Sequence, residues 1–182
     1  MGRASAGLLL FRFSGRFSGP FPGRSLGRRD GDSLEVFLVH PGGPFFRNKD
    51  EGVWSIPKGE LNDGEAALDA ARREFREETG FSPEGDFLPL SPVRQASGKV
   101  VQAWAIEGDF DPARLRSNTF EREWPPGSGR LQQFPEVDRA AWFRPGEAER
   151  RINSGQAPLI GELLALLRSP GSGESRRPPG EH

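Results

Sequence analysis

Glu74, Glu77 and Glu78 stand at i, i+3 and i+4 within Arg72–Phe81, which reads RREFREETGF. On a helix this spacing makes three carboxylates neighbours on one face. Like charges so placed repel by about 0.2–0.5 kcal/mol per pair. In the C-terminal half of a helix the macrodipole disfavours each of them by a further ~0.3–1 kcal/mol. A bound divalent cation reverses the sign of both effects, and carboxylate oxygens unaccompanied by His or Cys suit hard Mg2+ or Mn2+. The ordinary alternative is a salt-bridged, solvated helix. Arg72, Arg73 and Arg76 interleave with the acids, and Asp69–Arg73 and Arg73–Glu77 have the spacing of simple i,i+4 pairs.

The element that must position these acids is a helix expected over Asp63–Thr79. Asn62 or Asp63 can cap it, and Glu65 sits where a capping-box acid belongs if Asn62 is the cap. Gly80 can end it in a left-handed conformation, with Phe81 packing back on the last turn. Leu68, Ala71 and Phe75 form its apolar stripe. Apolar runs at Gly7–Phe13, Leu34–His40, Lys99–Gly108 and Val137–Phe143 read as strands. The first two carry apolar residues at consecutive positions, and the third is apolar on both alternating faces, as in a sheet covered on both sides. VWSIPKG is a brief extended piece leading into Gly59, and DPARL is a short helix with Asp111 as its cap. A final helix opens at Pro158 with a stripe of Leu159, Ile160, Leu163, Leu164 and Leu167. Alternating strands and helices give an α/β layered domain with a mixed sheet. One domain covers 1–168, interrupted by a flexible Gly/Ser/Pro/Arg-rich insertion at 14–33, and a disordered tail covers 169–182.

Composition bounds the function classes. The net charge of −1 argues against a nucleic-acid polymer or an anionic membrane as partner, while leaving room for small phosphorylated ligands. With no cysteine, disulfides, thiolate metal sites and cysteine nucleophiles are excluded. The opening MGRASAGLLLFRF is a poor signal peptide, because Arg12 interrupts a short apolar run and the small residues precede it. The expectation is a soluble, cytoplasmic protein.

From Gly59 the chain runs Gly, five residues, Glu65, seven residues, Arg73-Glu74, apolar Phe75, one residue, Glu77-Glu78, one residue, Gly80 and apolar Phe81. This is the complete Nudix signature, and its chance occurrence is on the order of 10⁻⁸ to 10⁻⁷ from residue usage. With the PKG entrance before it and Glu136 and Trp142-Phe143 after it, the chain resembles a Nudix hydrolase of the diadenosine-polyphosphate type from Ser5 to Arg168. The resemblance implies a Nudix-type α/β/α sandwich. It also implies hydrolysis of a diphosphate linkage in a nucleoside polyphosphate by a metal-activated water, with Mg2+, or Mn2+, as cofactor. Dinucleoside polyphosphates are the favoured substrates. The alternatives are a nucleoside triphosphate, a diphosphoinositol polyphosphate, or a catalytically silent nucleotide sensor. The partner would be a small-molecule nucleotide, and the protein a monomer or homodimer.

Residue by residue, the resemblance makes Glu74 and Glu78 the principal metal ligands, Glu77 a further ligand and the Gly59 carbonyl a main-chain one. Arg73 would orient the carboxylates, Glu65 would anchor the loop, and Gly80 would end the helix. Glu136, six residues before Trp142, is the candidate general base or additional metal ligand, with Glu107, Glu121 and Glu123 as weaker alternatives. Lys58 is the best phosphate contact outside the signature, and Arg47, Lys49 and Lys99 could add positive potential. Phe45, Phe46 and Trp124 lie in loops and are the candidates for nucleobase stacking. Trp54, Trp104 and Trp142 are expected in the core, and His40 in a structural role.

Overall fold

The computed structural model describes residues 4–14 and 34–168. The expected insertion, from residue 15 onward, and the expected tail at 169–182 lie outside the described residues. The central sheet has six strands: β1 (Ser5–Phe13), β2 (Leu34–Pro41), β3 (Lys58–Glu60), β4 (Leu88–Arg94), β5 (Val100–Glu107) and β8 (Val137–Phe143). Their order is β4-β5-β1-β2-β8, with β3 also paired to β1. Only β1 and β5 run parallel, so the sheet is mixed. One edge of β1 is shared: β3 pairs with Ser5–Gly7 and β2 with Phe11–Phe13.

The consecutive apolar residues of β1, β2 and β5 serve two cores. Ala6, Leu8, Leu10, Phe37, Val39 and Ile106 pack with Ala70, Ala71 and Phe75 of α1 (Ala67–Thr79). Leu9, Phe11, Val36, Leu38, Val101, Ala103 and Ala105 pack with Ala148 of α2 (Pro145–Arg151) and with Leu159, Ile160 and Leu163 of α3 (Ala157–Arg168). Alternate side chains of one strand point to opposite faces, so an apolar run without alternation requires a cover on each side. The result is the α/β/α sandwich.

Two differences from the sequence reading concern α1 and the chain after it. The helix starts at Ala67, not Asp63, and its cap residue, Ala66, makes no side-chain capping bond. Asn62 and Glu65 instead close a separate turn. The Asn62 N–H donates to Glu65 Oε2 at 2.9 Å and the Glu65 N–H to the Asn62 carbonyl at 3.1 Å. Gly64, at φ +75°, keeps that turn out of the helix. At the other end Gly80 is left-handed, φ 77°, and donates to the Arg76 carbonyl, as the sequence indicates. The second difference is the hairpin of β6 (Thr119–Glu123) and β7 (Leu131–Pro135), a separate two-stranded sheet. A short 3-10 turn at Pro112–Arg114, capped by Asp111 Oδ1, precedes it.

Candidate active site

The acid row lies on the face of α1 that meets β3. A Cβ built on Gly59 would stand 1.9 Å from Glu74 Cδ and 2.1 and 2.2 Å from its two oxygens. The bare backbone of Gly59 therefore lies directly under the Glu74 carboxylate, which no other residue type would permit. One turn on, Glu78 Oε2 accepts the Lys58 N–H at 3.2 Å. The PKG entrance and the acid row, about twenty residues apart in sequence, thus form one site.

Arg73 ties the row to the loop before the helix. Its Nε and Nη2 donate to the two oxygens of Glu65 at 2.8 and 2.9 Å, a paired grip that matches fork to fork. Nη1 donates to Glu74 Oε1 at 2.7 Å and to Glu77 Oε2 at 3.2 Å, and Nη2 also reaches the Glu60 carbonyl at 2.9 Å. The guanidinium and the Asn62 N–H hold Glu65 down to about 2. Arg73 thus contacts Glu65, Glu74 and Glu77 at once.

Burial dominates the electrostatics deeper in the site. It pushes Glu78 up to about 8, opposed by Lys58 and reinforced by the charges of Glu74 and Glu136. Burial likewise pushes the Lys58 ammonium down, against the pull of Glu78. Glu136 lies between β7 and β8, and its carboxyl is raised first by burial and then by the charges of Glu74 and Glu77. The fold thus brings Glu136 to the acid row from the far end of the chain.

Sequence reasoning missed how Glu136 is held. The Asn118 N–H donates to the Glu77 carbonyl at 2.9 Å, and the Asn118 carbonyl accepts the Glu136 N–H at 2.8 Å. Ser117 Oγ accepts the Val137 N–H at 2.9 Å, and the Arg116 N–H caps the Thr79 carbonyl at 3.0 Å. This strap of backbone at 116–118 satisfies carbonyls at the end of α1 while fixing Glu136. Backbone donors and acceptors are common to almost every residue type, so no side-chain signal announces it.

The remaining candidates divide. Lys99 forms an ion pair with Glu60 at 2.6 Å, and Lys49 lies 5.6 Å from the Phe46 ring centroid. Arg47 is exposed. Glu121 and Glu123 are exposed on β6, where Glu123 accepts the Gly129 N–H, and Glu107 is exposed at the end of β5. His40 is fully buried between Asp138 and the Lys49 carbonyl, both at 2.7 Å, in the structural role expected of it. Trp54 is core, while Trp104 and Trp142 are partly buried against the α1-side cluster. Phe45 and Phe46 are exposed, and Trp124 is half-buried beside Phe45.

The donor set was tested for a divalent cation. Among the described residues no three acidic or imidazole groups stand clustered as a ready-made metal cage, and Arg73 bonds to Glu74 and Glu77. The chemistry of the set fits a hard cation: oxygen donors only, two of the carboxyls raised chiefly by burial, around a glycine whose missing Cβ leaves room for the Glu74 carboxylate. Glu74, Glu77, Glu78 and the Gly59 carbonyl are the groups that could hold it, with Glu136 beside them.

Comparison with known proteins agrees with this geometry. A Nudix domain profile matches residues 26–163, well over half of the chain. Nudix hydrolase 7 of Arabidopsis thaliana is 27% identical over 103 residues, 52% of this chain and 35% of that protein. Nudix hydrolase 5 of the same organism is 28% identical over 110 residues, 60% of this chain and 32% of that protein. The chain spans about a third of the length of these relatives. Among solved structures, the Nudix domain of Shewanella oneidensis NrtR complexed with ADP ribose superposes with a TM-score of 0.57 at 17% identity, covering 92% of this chain and 89% of that one. A C. elegans Ap4A hydrolase in a binary complex gives 0.54 at 19% identity, covering 90% and 97%. Those two likenesses are of fold, whereas the profile match and the signature are of sequence. The chain belongs to the Nudix family.

Proposed function

We propose that the protein hydrolyses a diphosphate linkage in a nucleoside polyphosphate with the help of Mg2+ or Mn2+. Glu74, Glu77, Glu78 and the Gly59 carbonyl would hold the ion. The observation that carries this reading is the union of Gly59 with the acid row, in which the Glu74 carboxylate occupies the space over a residue that has no side chain. When bound, a divalent cation supplies charge neutralisation at bridging phosphates and a more acidic water. The protein's own groups do the rest. Arg73 keeps Glu74 and Glu77 aimed through one nitrogen while its grip on Glu65 prevents it from turning away. Lys58 offers the nearest ammonium to a phosphate oxygen. Glu136, a carboxyl already raised toward neutrality, can take the proton released when water attacks phosphorus. Phe45 and Phe46 are the exposed rings available to a base.

Dinucleoside polyphosphates remain the favoured substrates, from the resemblance of the sequence to that hydrolase type and from the fold shared with an Ap4A hydrolase. Purified protein incubated with Mg2+ and a panel of nucleotides, with products followed by chromatography, tests the reading. Glu78→Gln should fold normally and lose about 10²-fold or more in turnover, the scale on which one charge-stabilising group acts. Nucleotide binding without turnover of any panel member would instead identify a sensor.

A further inference from the structure

Phe45, Trp124, Phe120 and Phe134 stand outside both cores, and they stand together. Phe45 meets Trp124 edge to face, centroids 5.4 Å apart at 84°, and Phe120 lies 6.0 Å from Phe134 across the β6–β7 hairpin. The Arg122 guanidinium lies 5.0 Å from the Phe45 centroid and 5.7 Å from that of Phe120. Phe45 is 48% exposed although it has neighbours to pack on. A half-exposed ring beside a tryptophan and a guanidinium is chemically suited to a flat, π-rich heterocycle with hydrogen-bond acceptors at its edge.

The placement of this group relates it to the acid row. The loop carrying Phe45 is locked to Glu136, since the Gly42 N–H donates to the Glu136 carbonyl at 2.9 Å. A Cβ on Gly42 would come within 1.9 Å of the Pro135 carbonyl oxygen, so loop and hairpin touch backbone to backbone. Glu136 is in turn tied through Asn118 to Glu77. The aromatic group is therefore built onto the same junction that brings Glu136 to the acid row. Phe46 shares that loop, with Lys49 5.6 Å from its ring centroid.

We propose that Phe45, Trp124 and Arg122 form the nucleobase site, so that the β6–β7 hairpin makes the protein select nucleoside-capped over bare polyphosphates. The position of the phosphates in this proposal rests on the function proposed above. The test is calorimetric titration of the full chain with ADP and with pyrophosphate, both with Mg2+, where turnover is not the readout. ADP should bind about tenfold or more tighter than pyrophosphate, as one stacked base provides. Phe45→Ala and Phe45→Leu should both bring ADP to within about threefold of pyrophosphate, Leu because it restores apolar volume without a ring. Tryptophan emission should respond to ADP in the native protein and not in Trp124→Phe. An ADP preference that survives Phe45→Ala or Phe45→Leu, one that Phe46→Ala alone removes, or none in the native protein would overturn the proposal. A protein that binds ADP through Phe45 yet hydrolyses no nucleotide would sink the catalytic reading and leave this one standing. A protein that hydrolyses nucleotides with its ADP preference intact in Phe45→Ala would do the reverse.

Discussion

Gly59→Ala adds one methyl group where the Glu74 carboxylate lies. The new Cβ would stand 1.9–2.2 Å from three atoms of that carboxylate, whereas ordinary contact begins at 3.4 Å. Either β3 or Glu74 must move. β3 is hydrogen-bonded to β1, with Gly59 opposite Ala6. Glu74 ends in a flexible side chain, so the carboxylate should retreat by about 1.5 Å, breaking the 2.7 Å bond from Arg73. A partly exposed ion pair contributes ~0–1 kcal/mol, and alanine offsets ~0.4–1 kcal/mol by restricting the unfolded chain. The net change in stability should be under about 1 kcal/mol, a shift of no more than ~4 °C in melting midpoint. Catalysis is less forgiving, since a misplacement of about 1 Å can cost ~10²-fold. Steady-state nucleotide hydrolysis alongside a thermal melt separates the two effects. The reasoning fails if Gly59→Ala keeps kcat/KM within about threefold of the native protein, because a displaced ligand should cost far more. It fails equally if the midpoint falls by more than ~10 °C, because the strand would then have moved instead.

Glu65→Gln should lower the melting midpoint at neutral pH. Glu65 is held down to about 2 by Arg73 and the Asn62 N–H, so it contributes stability above its usual value of 4.5 that disappears as pH falls toward 2. The gap between variant and native protein should close across that interval, and a gap independent of pH would contradict the assignment. Gly80→Ala places a Cβ 2.9 Å from the Arg116 Cβ at φ +77°. It should destabilise by about 1–2 kcal/mol in urea denaturation, and unchanged stability would show that the helix end can rearrange. Phe37→Ala removes a fully buried ring that touches Phe75, Phe110 and Trp142 at centroid distances of 6.0, 5.5 and 5.3 Å. A loss of about 3–5 kcal/mol is expected by the same assay, and a loss under ~1.5 kcal/mol would mean this layer can collapse around the gap.

The acid row was legible because its residues are local and because their spacing is electrostatically adverse for a bare helix. The helix start was misread for a specific reason. The capping box and the Asn62–Glu65 turn use the same residues at the same spacing, and the Asn62–Glu65 bonds satisfy the same backbone groups. The left-handed backbone of Gly64 and the extended backbone of Ala66 distinguish them, and glycine is compatible with either state. β4 escaped notice because Pro89 and Pro92 read as loop, yet an edge strand tolerates proline where no partner needs its N–H. The hairpin strands TFERE and LQQFP carry mostly exposed polar side chains, so no alternating face announces them. The short α2 has only Ala148 fully buried. The Asn118 strap depends on which backbone segments meet, information that no single stretch contains.

These observations lead to one electrostatic accounting. Glu65, Glu74, Glu77, Glu78 and Glu136 share two nearby cations, Arg73 and Lys58. Arg73 is fully committed: two nitrogens face Glu65, and the third is divided between Glu74 and Glu77. Glu78 is left with a backbone N–H and an ammonium that burial itself weakens. With protein groups alone, burial and the neighbouring carboxylates raise Glu78 and Glu136. Glu78 is presented by a helix whose other face is well buried through Ala70, Ala71 and Phe75. The hydrophobic contacts of α1 are what allow an acid row to be kept at the unfavourable end of the helix dipole. A divalent cation would favour the ionised form of both carboxylates, whereas another arginine could only pair with them and leave no open position for a phosphate.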